Sequence, residues 1–162
     1  MDYLVNLLFT GIGATALVDV WSLLRKRMLG IAVPDFGLVG RWLAHMPRGR
    51  FRHGSIAAAP AVRAEKSIGW AAHYLIGIGF ASLPLALDDG WFRQPTLAPA
   101  MLAGIATVAA PFLLMQPAMG AGLAASRTPH PAAARLQSLI THAIFGVGLY
   151  LAGNLILALQ SL

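Results

Sequence analysis

The stretch Ser67-Ile68-Gly69-Trp70-Ala71-Ala72-His73-Tyr74-Leu75-Ile76-Gly77-Ile78-Gly79-Phe80-Ala81-Ser82-Leu83-Pro84-Leu85-Ala86-Leu87 holds no Asp, Glu, Lys or Arg, and it lies between Lys66 and Asp88-Asp89-Gly90. As an α-helix, about 20 such residues at ~1.5 Å of rise each cross a hydrocarbon core of ~30 Å. His73 is its one side chain that titrates near neutral pH, two turns in from Lys66. An ionisable group at that depth is costly unless it faces protein or water, so it is a candidate site residue.

Three more apolar runs accompany it, so spans are expected over residues 3–24, 67–87, 96–119 and 136–159, with a long basic connection over 25–66. Hydrophobic residues make up 57% of the chain and charged residues 11%, too much apolar surface for the core of a soluble domain this long. The fold class that follows is all-α: one transmembrane domain, its four helices joined as an up-down bundle by three connections. No length is left for a soluble catalytic domain. With no cysteine, there is no disulfide framework, thiolate metal site or cysteine nucleophile.

The net charge of +6 is concentrated. Nine Lys and Arg fall in 25–66, Arg127 and Arg135 in the loop 126–135, and Arg93 alone elsewhere. This is the positive-inside pattern rather than a nucleic-acid patch, and it places both basic connections in the cytoplasm with both termini on the opposite side. Met1-Asp2 supplies no basic region before the first apolar run, so that run is expected to be a retained helix rather than a signal peptide.

Gly11-Ile12-Gly13-Ala14-Thr15-Ala16 matches the dinucleotide fingerprint G-x-G-x-x-A, but apolar residues run unbroken on both sides where a strand and an amphipathic helix are needed. Helix packing explains it better: Gly11, Thr15, Asp19 and Ser22 fall on one small, polar face. In the long connection, Phe36, Val39, Trp42, Leu43 and Met46 recur at helical spacing between Pro34-Asp35 and Pro47. A short amphipathic helix in the headgroup region is expected there, anchored by Trp42. Arg41, Arg48, Arg50 and Arg52 make this loop basic, suited to anionic lipid headgroups; a dedicated site for an anionic ligand or partner protein is the sharper alternative. Trp91 and Phe92 in the acidic turn read as an aromatic belt, and Pro111, which frees the carbonyl of Thr107, predicts a kink in the third span.

Depth links the helices. Asp19 lies six residues before Arg25, His73 seven after Lys66 and His142 seven after Arg135. All three therefore sit about 9–11 Å below the basic boundary, and Met115 and Gln116 bring the third span to the same level. Ser138, His142, Gly146, Leu149 and Gly153 share a face of the fourth helix. The candidate binding residues are Asp19, His73, Gln116, His142, Met115 and Met119. Such a layer suits a small solute, a proton or a metal ion. No cofactor is expected. A metal on His73, His142 and Asp19, or a bis-histidine haem, is the alternative, with Met115 or Met119 assisting copper(I). The blander readings are histidines that snorkel, methionines that pack, and an interhelical hydrogen-bond clamp. Without a nucleophile elbow, oxyanion motif or phosphate loop, an enzyme is not expected. The rival to permeation is a non-catalytic accessory or scaffold subunit of a larger membrane complex, and the partners it allows are another membrane protein or, as a homo-oligomer, a second copy of this chain.

Several motifs also resemble a known family. Gly13-Ala14-Thr15-Ala16-Leu17-Val18-Asp19-Val20-Trp21 and Gly40-Arg41-Trp42-Leu43-Ala44-His45-Met46-Pro47-Arg48-Gly49-Arg50-Phe51 carry the likeness, as do Gln94-Pro95-Thr96, Met115-Gln116-Pro117-Ala118-Met119-Gly120 and Arg127-Thr128-Pro129. They are similar to small bacterial inner-membrane proteins catalogued as domain of unknown function 2938. The resemblance covers nearly the whole chain. It implies a four-helix protein of the bacterial inner membrane and brings no activity, cofactor or catalytic residue.

Overall fold

The computed structural model describes residues 3–161, and no strand occurs among them. The first helix, α1 (Tyr3–Leu29), runs five residues past the expected end. Arg25-Lys26-Arg27 propagate helix well, and Lys26 and Arg27 complement the negative end of its dipole. It stops where Gly30 takes φ +65°. Because α1 passes unbroken through Gly11-Ile12-Gly13, the fingerprint match there is indeed a packing feature.

Helix α2 (Phe36–His45) starts where Asp35 caps it, Oδ1 accepting from the Gly37 amide at 2.9 Å, and a 3-10 turn through Pro47 follows. The stretch 67–87 is not one helix. It divides into α3 (Glu65–Phe80) and α4 (Leu83–Leu87) because Pro84 has no N–H to donate and its ring would meet the carbonyl of Phe80. The third span is also interrupted around Pro111: α5 (Leu97–Ala106) gives way to a π-helical turn (Ala110–Met115) and then α6 (Gln116–Met119). Helix α7 (Pro131–Gln160) begins at a proline, five residues ahead of expectation. Among the described residues, four stretches are long and apolar enough to cross a membrane: Tyr3–Leu29, Glu65–Leu87, Leu97–Met119 and Pro131–Gln160.

Two compact units divide the chain. One combines the described parts of Met1–Val33 and Leu139–Leu162 with Tyr74–Thr107. Its core holds Ala14, Val18, Trp91, Ala100, Phe145 and Leu149. Small residues set the helix spacing: a Cβ on Gly104 of α5 would lie 2.5 Å from Gly146 Cα of α7, so the two backbones pack directly. On α1, Gly11 lies against the Ile78 backbone and Thr15 against Gly77, so the small face read from the sequence is the one that meets α3.

The other unit combines Pro34–His73 with Val108–Ser138. Trp42, Ile56 and Ala118 form its core, with Met46, Met115 and Met119 packed around them. Two expectations about tryptophan are corrected here. Trp42 is 6% exposed and Trp91 0%, so neither serves as an interfacial anchor. Each indole N–H finds a nearby carbonyl, Phe51 O at 2.9 Å and Thr96 O at 3.0 Å, which removes the cost of burying it.

Candidate functional site

Within the first unit the polar residues of the spans meet in pairs. The Tyr74 hydroxyl of α3 donates to Asp19 Oδ2 of α1 at 2.8 Å. Thr107, just after α5, lies 2.7 Å from His142 Nδ1 of α7 and also donates to the Gly104 carbonyl one turn back. A hydroxyl has one proton. With that proton on Gly104 O, Thr107 Oγ1 accepts from His142 Nδ1–H, which makes Nε2 the basic nitrogen of the neutral ring. Thr15 of α1 spends its own hydroxyl on the Gly11 carbonyl at 2.7 Å, as threonines in apolar helices do.

The second unit holds the remaining candidates, and the structure gives each its own surroundings. The His73 ring stacks on Phe36, centroids 4.1 Å apart, and meets the edge of Trp70. Gly40 and Gly69 make that possible: a Cβ on either would run into the opposing backbone, so α2 lies directly on the first turns of α3. Gln116 Oε1 is buried and has no hydrogen-bond partner among the described residues. Met115 and Met119 pack against the Trp42 core. Among the described residues, no three His, Cys, Asp or Glu side chains cluster as a metal site would require.

Arg41 makes the most side-chain bonds that hold the long connection. Arg41 forms a two-pronged ion pair with Glu65, Nε and Nη2 each 2.8 Å from a carboxylate oxygen. Its Nη1 reaches the carbonyls of Ile56, Ala57 and Ala59 at 3.1–3.3 Å. Glu65 also accepts from the Val62 amide at 3.0 Å. Backbone bonds from His53 N to Ala118 O (2.8 Å) and from Ile56 N to Met119 O (3.0 Å) fasten the other side. Behind this loop His45, 3% exposed, shares a 2.9 Å contact between its Nδ1 and His53 Nε2. Burial pushes the His53 ring below its ordinary pKa, and the neighbouring charges of His45 and Arg50 push it further the same way.

Of the candidate binding residues, Asp19 and His142 belong to the first unit, and His73, Gln116, Met115 and Met119 to the second. Sequence reasoning missed Tyr74 and Thr107, which hydrogen-bond the half-buried Asp19 and His142. It also missed the pairing of Arg41 with Glu65, and of His45 with His53. Only Tyr74 left a signal: it adjoins His73 and so lies near the depth of Asp19.

An all-helical chain with four apolar spans, and with an acid and a histidine hydrogen-bonded inside them, is a polytopic membrane protein. A protein-family model described as "Protein of unknown function (DUF2938)" matches residues 8–156, and the chain belongs to that family. No curated protein and no solved structure matches it.

Proposed function

We propose that this chain is a bacterial inner-membrane protein that moves protons through titratable pairs held within its spans. The observation that carries the reading is the 2.8 Å hydrogen bond from Tyr74 to the Asp19 carboxylate, between helices α1 and α3. A carboxylate inside a spanning helix is costly unless it is paired, and paired acids and histidines there commonly serve proton relays. Direct backbone contact between α5 and α7 favours a proton over a larger solute, because a proton needs hydrogen-bonded groups rather than a bore. His142, with Nδ1 on Thr107, offers Nε2 as the second proton acceptor of the same unit. The clustering of Lys and Arg in 25–66 and 126–135 supports placing both connections on the cytoplasmic side.

Purified protein in vesicles loaded with a pH-sensitive dye tests this. Under an imposed potential, acidification should exceed that of empty vesicles, fall to background with Asp19→Asn, and drop about tenfold or more with His142→Gln. Flux equal to empty vesicles, or unchanged by Asp19→Asn, overturns the reading. If Asp19→Asn instead abolished recovery of the protein in a larger membrane complex while flux stayed at background, the accessory-subunit role would replace it.

A further inference from the structure

The second unit carries a cavity of about 310 Å³, at the small end for ligand pockets, whose wall includes Arg50, Arg52, His53 and Ser55. The loop that forms it has no regular structure, yet it is fastened from three directions. Arg41 holds the carbonyls of Ile56, Ala57 and Ala59, the Trp42 indole holds Phe51 O, and the amides of His53 and Ile56 bond to Ala118 and Met119. The arginines divide sharply by role. Arg41 is spent on the fold, whereas Arg50 and Arg52 are exposed and make no side-chain hydrogen bond or ion pair among the described residues. His53 Nδ1 is buried with no hydrogen-bond partner among them, an expensive state that the fold itself does not relieve.

From this geometry we propose that the cavity is a built binding site for a phosphate group, held by the Arg50 and Arg52 guanidinium groups with the His53 ring and Ser55 hydroxyl in its wall. A solvated basic surface would not need its loop tied down at so many points. A preorganised site does, since ordering the loop beforehand removes that cost from binding. Guanidinium forks match phosphate oxygens two at a time, which distinguishes this site from the diffuse pull of a basic surface on lipid. The phosphate is either that of an anionic phospholipid headgroup or a free phosphate from the aqueous phase.

The full chain in neutral detergent, observed by native mass spectrometry, separates these sources. Phosphatidylglycerol and phosphatidylcholine are offered in turn, each with and without inorganic phosphate. Phosphatidylglycerol adducts that survive added phosphate assign the site to a headgroup; direct phosphate binding that displaces them assigns it to free phosphate. In either case Arg50→Gln and Arg52→Gln should each weaken binding about tenfold. Arg63→Gln, an exposed arginine of the same connection outside the cavity, should change it less than about twofold. Arg50→Lys, which keeps the charge and loses the fork, should fall between. Unchanged elution and helix content confirm that each variant is folded. Equal losses from Arg63→Gln and Arg50→Gln overturn the proposal, as does binding of phosphatidylglycerol and phosphate no better than of phosphatidylcholine and chloride.

Discussion

Single polar groups in this chain are informative because so few of them lie in its spans. Tyr74→Phe removes the donor to Asp19 without changing the shape of the ring. Loss of this interhelical bond should cost about 0.6–2 kcal/mol, read from denaturant unfolding in detergent, and slow proton flux without abolishing it. His53 makes a different prediction, through pH. Its folded-state pKa lies below the 6.5 of a free imidazole, so the fold prefers the neutral ring. The stability this contributes is present above about pH 6.5 and lost as pH falls through the depressed value. The thermal midpoint should therefore decline from pH 7 towards pH 5, and His53→Gln should flatten that decline. An unaltered slope in the variant would assign the acid sensitivity to other groups. Asp19 and His142 were legible at this scale because a charge or an imidazole stands out in an apolar run. Tyr74 and Thr107 were not, since tyrosine and threonine are ordinary in such helices and only the crossing of two helices makes them partners.

Among the elements, α2 was legible from both ends: Asp35 caps it and Pro47 closes it, signals local enough to need no tertiary knowledge. The break between α3 and α4 could have been read too, because Pro84 forbids the bond to Phe80, but the uninterrupted hydropathy of 67–87 concealed it. The ordering of the long connection was beyond local reading. Arg41 and Glu65 stand 24 positions apart, and nothing near either announces the other. A measurable consequence follows from their pairing. Arg41→Gln should release the carbonyls of Ile56, Ala57 and Ala59, and with them the loop that bears Arg50 and Arg52. Trypsin should then cut after Arg50 and Arg52 at least several-fold faster than in the parent protein, because local opening governs cleavage. The helix content should stay the same. Equal cleavage rates would mean that the backbone bonds to Ala118 and Met119 suffice to hold the loop. A Cβ at Gly40 tests the same region from the helix side: Gly40→Val should cost about 1–3 kcal/mol, since it separates α2 from α3 and disturbs the stacking of Phe36 on His73.

For the molecule as a whole, the distribution of charge gives a direction to everything else. The proton reading needs Asp19 and His142 near the cytoplasmic end of their helices, and the phosphate site needs its loop on a known face. Both inherit their sidedness from the proposed cytoplasmic placement of 25–66 and 126–135. The absence of native cysteine makes this testable without background labelling. Single cysteines at the exposed positions Ala61 and Ser126 should resist a membrane-impermeant maleimide in intact spheroplasts and react after lysis. Cysteines at Gln94 and Ser161, also exposed, should react in intact spheroplasts. Arg93 sharpens the comparison, because it is the one Lys or Arg outside the two basic connections, and it follows Asp88 and Asp89 closely in sequence. Acidic residues contribute little to orientation, so Arg93 opposes the assigned topology weakly and should not invert it. Adding basic residues at Gln94 and Thr96 should raise that opposition, and a reversed labelling pattern would then locate the determinant in the Lys and Arg balance. If the parent protein itself labels at Ala61 and not at Gln94, the basic connections face outward. The phosphate bound by Arg50 and Arg52 would then be drawn from that compartment, and Asp19 and His142 would stand at the exit of the proton path rather than its entrance.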